Sequence, residues 1–106
     1  MNILHIYKSS LNSGYGGVEQ FIDTLCQTSS KLGVKNTLLT LSQNPETNPI
    51  AMKGYKIHEA KQNLNIASTG FSASAFNTFK KLAGNSDIIH YHFPNPYGDL
   101  LYFLSL

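Results

Sequence analysis

"SSLNSGYGGVEQFIDTL", residues 9–25, is the stretch on which the reading of this chain turns. It sets Gly14, Gly16 and Gly17 behind the apolar run "NILHIY" (2–7) and ahead of apolar residues at helical spacing. A nearly continuous apolar run is how a strand covered on both faces reads. Val18, Phe21, Ile22, Leu25, Cys26 and Leu32 then recur on one helix face, with Gly33 closing the helix. Strand, glycine-rich turn, helix is the arrangement in which backbone N–H groups at a helix N-terminus face an anion. Glycine there permits positive φ and lets a ligand reach the backbone with no Cβ in the way. A tight turn, with Glu19 favoured by the helix dipole, accounts for the same residues. On the residues alone both readings stay open.

The rest of the chain continues the alternation. "VKNTLLTL" (34–41) is a second strand, "SQNPETNP" (42–49) a surface loop, and "YKIHEA" (55–60) a third strand. "KQNLNIASTG" (61–70) fits neither period. Ser72 caps a helix carrying Ala75, Phe76, Phe79, Leu82 and Ala83 and ending at Gly84. "SDIIHYHF" (86–93) is a fourth strand, and a last helix opens with Asn95 as cap and Pro96 at its first position. Strands alternating with helices predict an α/β, Rossmann-like, three-layer fold with a parallel sheet, in the order 3-2-1-4. The chain stops at Leu106 as this last helix reaches its apolar stretch, and the expectation is a piece of a longer protein.

Composition narrows the function. A chain of 106 residues suits one domain, and 42% apolar with 13% charged residues is a folding composition. Its eight basic residues are all lysine and the net charge is only +2, so no nucleic-acid partner is expected. The single cysteine, Cys26, excludes an internal disulfide, reads as a core residue, and points to a reducing, cytoplasmic setting. No stretch approaches the roughly 20 apolar residues of a membrane span. A dinucleotide fingerprint fails because Glu19 stands where the third glycine belongs, and a P-loop fails because "GGVEQ" holds no lysine.

The second candidate is "HYHFPNP", in which His90 and His92 share one face at the carboxyl end of a strand. In open parallel sheets, ligands bind outside the carboxyl ends of strands where the order reverses. With strands one and four adjacent, the glycine turn and the His/Pro loop face one crevice. His92, nearer the strand end, is the residue expected there; His90 is expected in the core, and His5 and His58 are expected to be structural. Zinc needs at least three protein ligands, and with the other histidines on other strands no metal site is expected.

These segments carry a resemblance. "MNILHIYKSS…YGGVEQFIDTLCQTSSKLGVKNTLLTLS", followed by "AKQNLNIASTGFS" and "DIIHYHFPNPYGDLLYFLS", resembles the N-terminal half of a GT-B glycosyltransferase. More narrowly it is similar to family 4, the "group 1" retaining enzymes that build bacterial surface polysaccharides and lipopolysaccharide. The resemblance implies an acceptor-side domain spanning 1–106. It gives Gly16 and Gly17 to the donor's diphosphate, and His92, Pro94 and Asn95 to the acceptor cleft. It implies a nucleotide-sugar donor, a glycan or lipid-linked acceptor, no cofactor and no metal. The family's catalytic histidine and its nucleotide-binding domain with paired glutamates lie beyond Leu106. The chain by itself is therefore expected to transfer no sugar and to self-associate, while the parent has scope for peripheral membrane attachment. A free-standing module that binds a phosphorylated small molecule is the alternative, and a structural domain whose glycines only turn the chain is the third.

Overall fold

The computed structural model describes residues 1–8, 10, 16–42, 44–61 and 73–92. The Ser72 cap, the segment after Lys61 and the helix opening at Asn95 lie outside them. In chain order the elements are β1 (Asn2–Ile6), α1 (Gly17–Ser30), β2 (Lys35–Ser42), β3 (Ile50–Met52), β4 (Tyr55–Lys61), α2 (Ala73–Gly84) and β5 (Ile88–Tyr91).

The sheet corrects the expected order. It has five strands, not four, and is mixed: β3-β4-β2-β1-β5, with β3 antiparallel to β4 and every other pair parallel. The added strand is a three-residue edge piece that turns into β4 through Lys53 and Gly54. Gly54 is needed there twice over. Its φ is +87°, and a Cβ would sit 2.8 Å from Ser30 Oγ and 3.0 Å from Gln27 Cα. Gly54→Ala is expected to cost about 2 kcal/mol, from the left-handed backbone and the overpacking against α1. A urea titration checks this: the midpoint falls while the slope is kept.

Alternation along the strands builds two cores, one on each face. Leu4, Ile6, Leu39 and Ala60 pack with Phe79 of α2. Tyr7, Leu38, Tyr55 and Ile57 pack with Ile22 and Cys26 of α1. Helix, sheet and helix thus form three layers. Helix α1 is shorter than expected, ending at Ser30; Gly33 (φ +88°) then turns the chain into β2. Two residues of its predicted apolar face are not core: Phe21 is 57% exposed and Leu32, beyond the helix, 82%.

Cys26 is fully buried, and burial together with the nearby Asp23 charge pushes its thiol up to about 12. Since the thiolate is the reactive form, the folded chain at pH 8 is expected to react with a disulfide reagent about a thousandfold more slowly than the urea-unfolded chain. Equal rates would contradict the packing described here.

Candidate functional site

The crevice begins where β1 and β5 run side by side. Residues Ile3 to Ile6 register with Ile88 to Tyr91, so His5 lies directly across from His90. The start of β5 is tied down by Asn2 N–H donating to Asp87 Oδ2 at 2.7 Å, and its end by His92 N–H donating to the Ile6 carbonyl at 3.1 Å.

Three histidines therefore share the α1 face of two neighbouring strands, in a fixed network. Asn36 of β2 donates through Nδ2 to the Cys26 carbonyl (3.2 Å) and to Ser29 Oγ (2.8 Å), which leaves its Oδ1 as acceptor. His5 Nε2 sits 2.9 Å from that oxygen and must carry a proton. A neutral His5 then offers Nδ1 as acceptor, and His92 Nε2, 3.0 Å away, is the donor to it. The chain of hydrogen bonds thus fixes both tautomers and leaves His92 Nδ1 with a lone pair. The rings of His90 and His92 stack with centroids 4.0 Å apart, and Phe21 of α1 meets His92 edge-on at 6.2 Å.

Exposure reverses one expectation. His92 is 5% exposed and His90 is exposed, so His90 rather than His92 faces solvent among the described residues. The cause is the packing: His92, two residues further along the chain, is enclosed by His5, His90 and Phe21. Burial, with the neighbouring His90 and His5 adding to it, lowers the His92 pKa to about 3. Burial also lowers that of His5, against the hydrogen bond that it donates to Asn36. Both rings are neutral at physiological pH.

The glycine turn supplies the other wall. Gly16 is the N-cap of α1 with φ −81° and ψ 169°, and its carbonyl accepts from Gln20 N–H at 3.2 Å. That is extended backbone open to any residue, so positive φ does not explain this glycine. Among the described residues, a Cβ on Gly16 would meet only the carboxylate end of Glu19, and one on Gly17 would meet nothing within 4 Å. The described residues thus make no demand for glycine at 17. Of the residues read from sequence, Gly16 and Gly17 open α1 and His92 ends β5; Gly14, Pro94 and Asn95 lie outside the described residues.

Two members of the network had no role in the sequence reading. His5, on another strand, is expected from the sequence to be structural, and the β1–β5 pairing sets it across from His90. Asn36 had a signal, a carboxamide opening an otherwise apolar strand, but its partners on α1 are visible only in the fold. His58 lies on the opposite face of the sheet, beside α2 residues Thr78, Lys81 and Leu82. A hollow of about 460 Å³ lies at the amino ends of the strands, among Asn2, Lys35, Thr37, Lys56 and Asn85.

Comparison with known proteins now adds its weight. The chain is 44% identical over 105 residues to the D-rhamnosyltransferase WbpZ of Pseudomonas aeruginosa, covering 99% of this chain and 28% of that protein. It is 40% identical over 102 residues to the O-antigen chain mannosyltransferase C of Escherichia coli, covering 96% of this chain and again 28% of the relative. The chain thus spans between a quarter and a third of these glycosyltransferases' length. No family profile matches it, and no solved structure does. Among the described residues no helix is long and apolar enough to cross a membrane.

Proposed function

We propose that this chain is the acceptor-side, N-terminal portion of a retaining GT-B glycosyltransferase of family 4. The whole protein moves a sugar from a nucleotide-diphosphate donor in the cytoplasm to a hydroxyl of a glycan or lipid-linked acceptor in surface-polysaccharide synthesis. The observation that carries this reading is the 44% identity running along 99% of the chain to a D-rhamnosyltransferase. Rhamnosyl and mannosyl donors are accordingly the first to try.

In this reading the backbone N–H groups opening α1 meet the donor diphosphate. Gly16 and Gly17 leave room for its oxygens, and the helix dipole offsets the charge that develops on the leaving group. His92, with Pro94 and Asn95, lines the acceptor side. The His92 ring itself is buried, with the exposed His90 stacked over it, and the Asn36–His5 pair fixes its tautomer. The test is to read the gene through the codon for Leu106. The reading expects a further strand ending in the catalytic histidine, then a second α/β domain with an E-x7-E pair. A stop codon at that point makes the chain a non-catalytic binding module instead. The purified 106-residue chain is expected to show no sugar transfer from either donor, and measurable turnover would refute that expectation.

A further inference from the structure

The histidine cluster has a second chemistry that sugar transfer does not call for. We propose that His5, His90 and His92 form a binding site for one divalent transition-metal ion of the zinc class. One ring nitrogen of each lies within 4.8 Å of those of the other two, and His5 Nδ1 and His92 Nε2 are 3.0 Å apart. Tetrahedral zinc with Zn–N bonds near 2.0–2.1 Å sets its ligand nitrogens about 3.3 Å apart. Two of the three are thus close to ligand spacing, joined by a hydrogen bond that the ion would replace. His90, exposed on the outer strand, closes the remaining gap by side-chain rotation and leaves a path by which the ion enters.

The surroundings are those of a ligand set. A metal-bound histidine typically gives its other ring N–H to a fixed acceptor, which sets the tautomer and aims the lone pair. His5 does this: Nε2–H goes to Asn36 Oδ1, and Asn36 is itself pinned to Cys26 and Ser29, so Nδ1 points into the cluster. When the ion arrives, the proton on His92 moves from Nε2 to Nδ1, and Nε2 turns its lone pair to the metal. All three rings stay neutral and no proton is released. Three imidazoles with a fourth position open to water or an oxygen ligand suit zinc, whose sites with exchangeable ligands have three protein donors. From the sequence no metal is expected, because the other histidines stand on other strands; the β1–β5 register sets His5 across from His90.

The proposal stands on the chain's own residues, and its test reads metal binding rather than sugar transfer. The test strips the 106-residue chain with a chelator, then titrates it with Zn2+ by calorimetry and with Co2+ by absorption. One equivalent of Zn2+ is expected to bind and to raise Tm, and Co2+ is expected to give intense tetrahedral bands. His90→Ala removes an exposed side chain and should leave the circular dichroism unchanged while weakening Zn2+ binding roughly a hundredfold or more. His58→Ala, on the other face of the sheet, should bind as the parent does. No binding at about 100 µM Zn2+ would overturn the proposal. So would a His90→Ala chain that binds as the parent does, or equal loss of binding in His58→Ala, which would mark the uptake as non-specific.

Discussion

Gly17→Ala is expected to lower sugar transfer about a hundredfold while leaving the fold as stable as before, or more so. The setting is a chimera in which this chain replaces the matching segment of the Pseudomonas aeruginosa D-rhamnosyltransferase. The stability half of the claim follows from the space around Gly17: an added Cβ meets no atom of the described residues within 4 Å. Replacing glycine by alanine in helical backbone reduces the freedom of the unfolded chain and adds up to about 1 kcal/mol. The activity half follows from what that space is for. Backbone N–H groups stabilise an oxyanion only at contact distance, and removing one such donor typically costs a factor of about 100–1000. A methyl group between the diphosphate and the first turn of α1 has that effect. If the variant is destabilised, the glycine is a structural one; if it is as stable and as active as the parent, the diphosphate lies elsewhere.

The second large effect is on stability against pH. His92 titrates near 3 in the folded chain, against about 6.5 for a free imidazole. Above pH 6.5 the ring is neutral folded or unfolded and contributes no slope. Between pH 6.5 and 3 the unfolded chain binds a proton that the folded chain refuses, so stability falls as the solution is acidified. The slope approaches about 1.4 kcal/mol per pH unit for one histidine. His5, lowered in the same direction, steepens it. Urea unfolding of the metal-free chain at a series of pH values measures this slope. His92→Phe keeps the ring's bulk and should flatten the curve by up to one proton over that range. A parent curve level from pH 6.5 down to 4 would mean that the two rings are not enclosed as described.

Both predictions rest on features of unequal legibility in the sequence. The unbroken apolar run of β1 and the helical spacing of Val18, Ile22 and Cys26 announced a strand and a helix, because burial on the sheet's two faces imposes those periods. Strand β3 passed unread because three residues show no period, although the flanking turn residues Lys53 and Gly54 were visible. Phe21 and Leu32 match an apolar helix pattern and yet stay largely exposed, since composition does not say how far a neighbouring layer extends. The candidate site divides the same way. Glycines 16 and 17 stand out locally, but the His5–His92–Asn36 network joins residues separated by 87 and 31 positions. Only strand order and register make such residues neighbours. The expected places of His90 and His92 were inverted for a related reason: position along a strand does not reveal which ring its stacked neighbour covers.

The measurement that bears most directly on the central claim is sugar transfer by the chimera itself, with this chain in place of the matching 28% of the rhamnosyltransferase. The account predicts that the chimera folds and extends the relative's own acceptor from its own donor, at a rate that Gly17→Ala then depresses. A chimera that folds with native-like cooperativity, binds the donor through its retained domain and transfers nothing would contradict it.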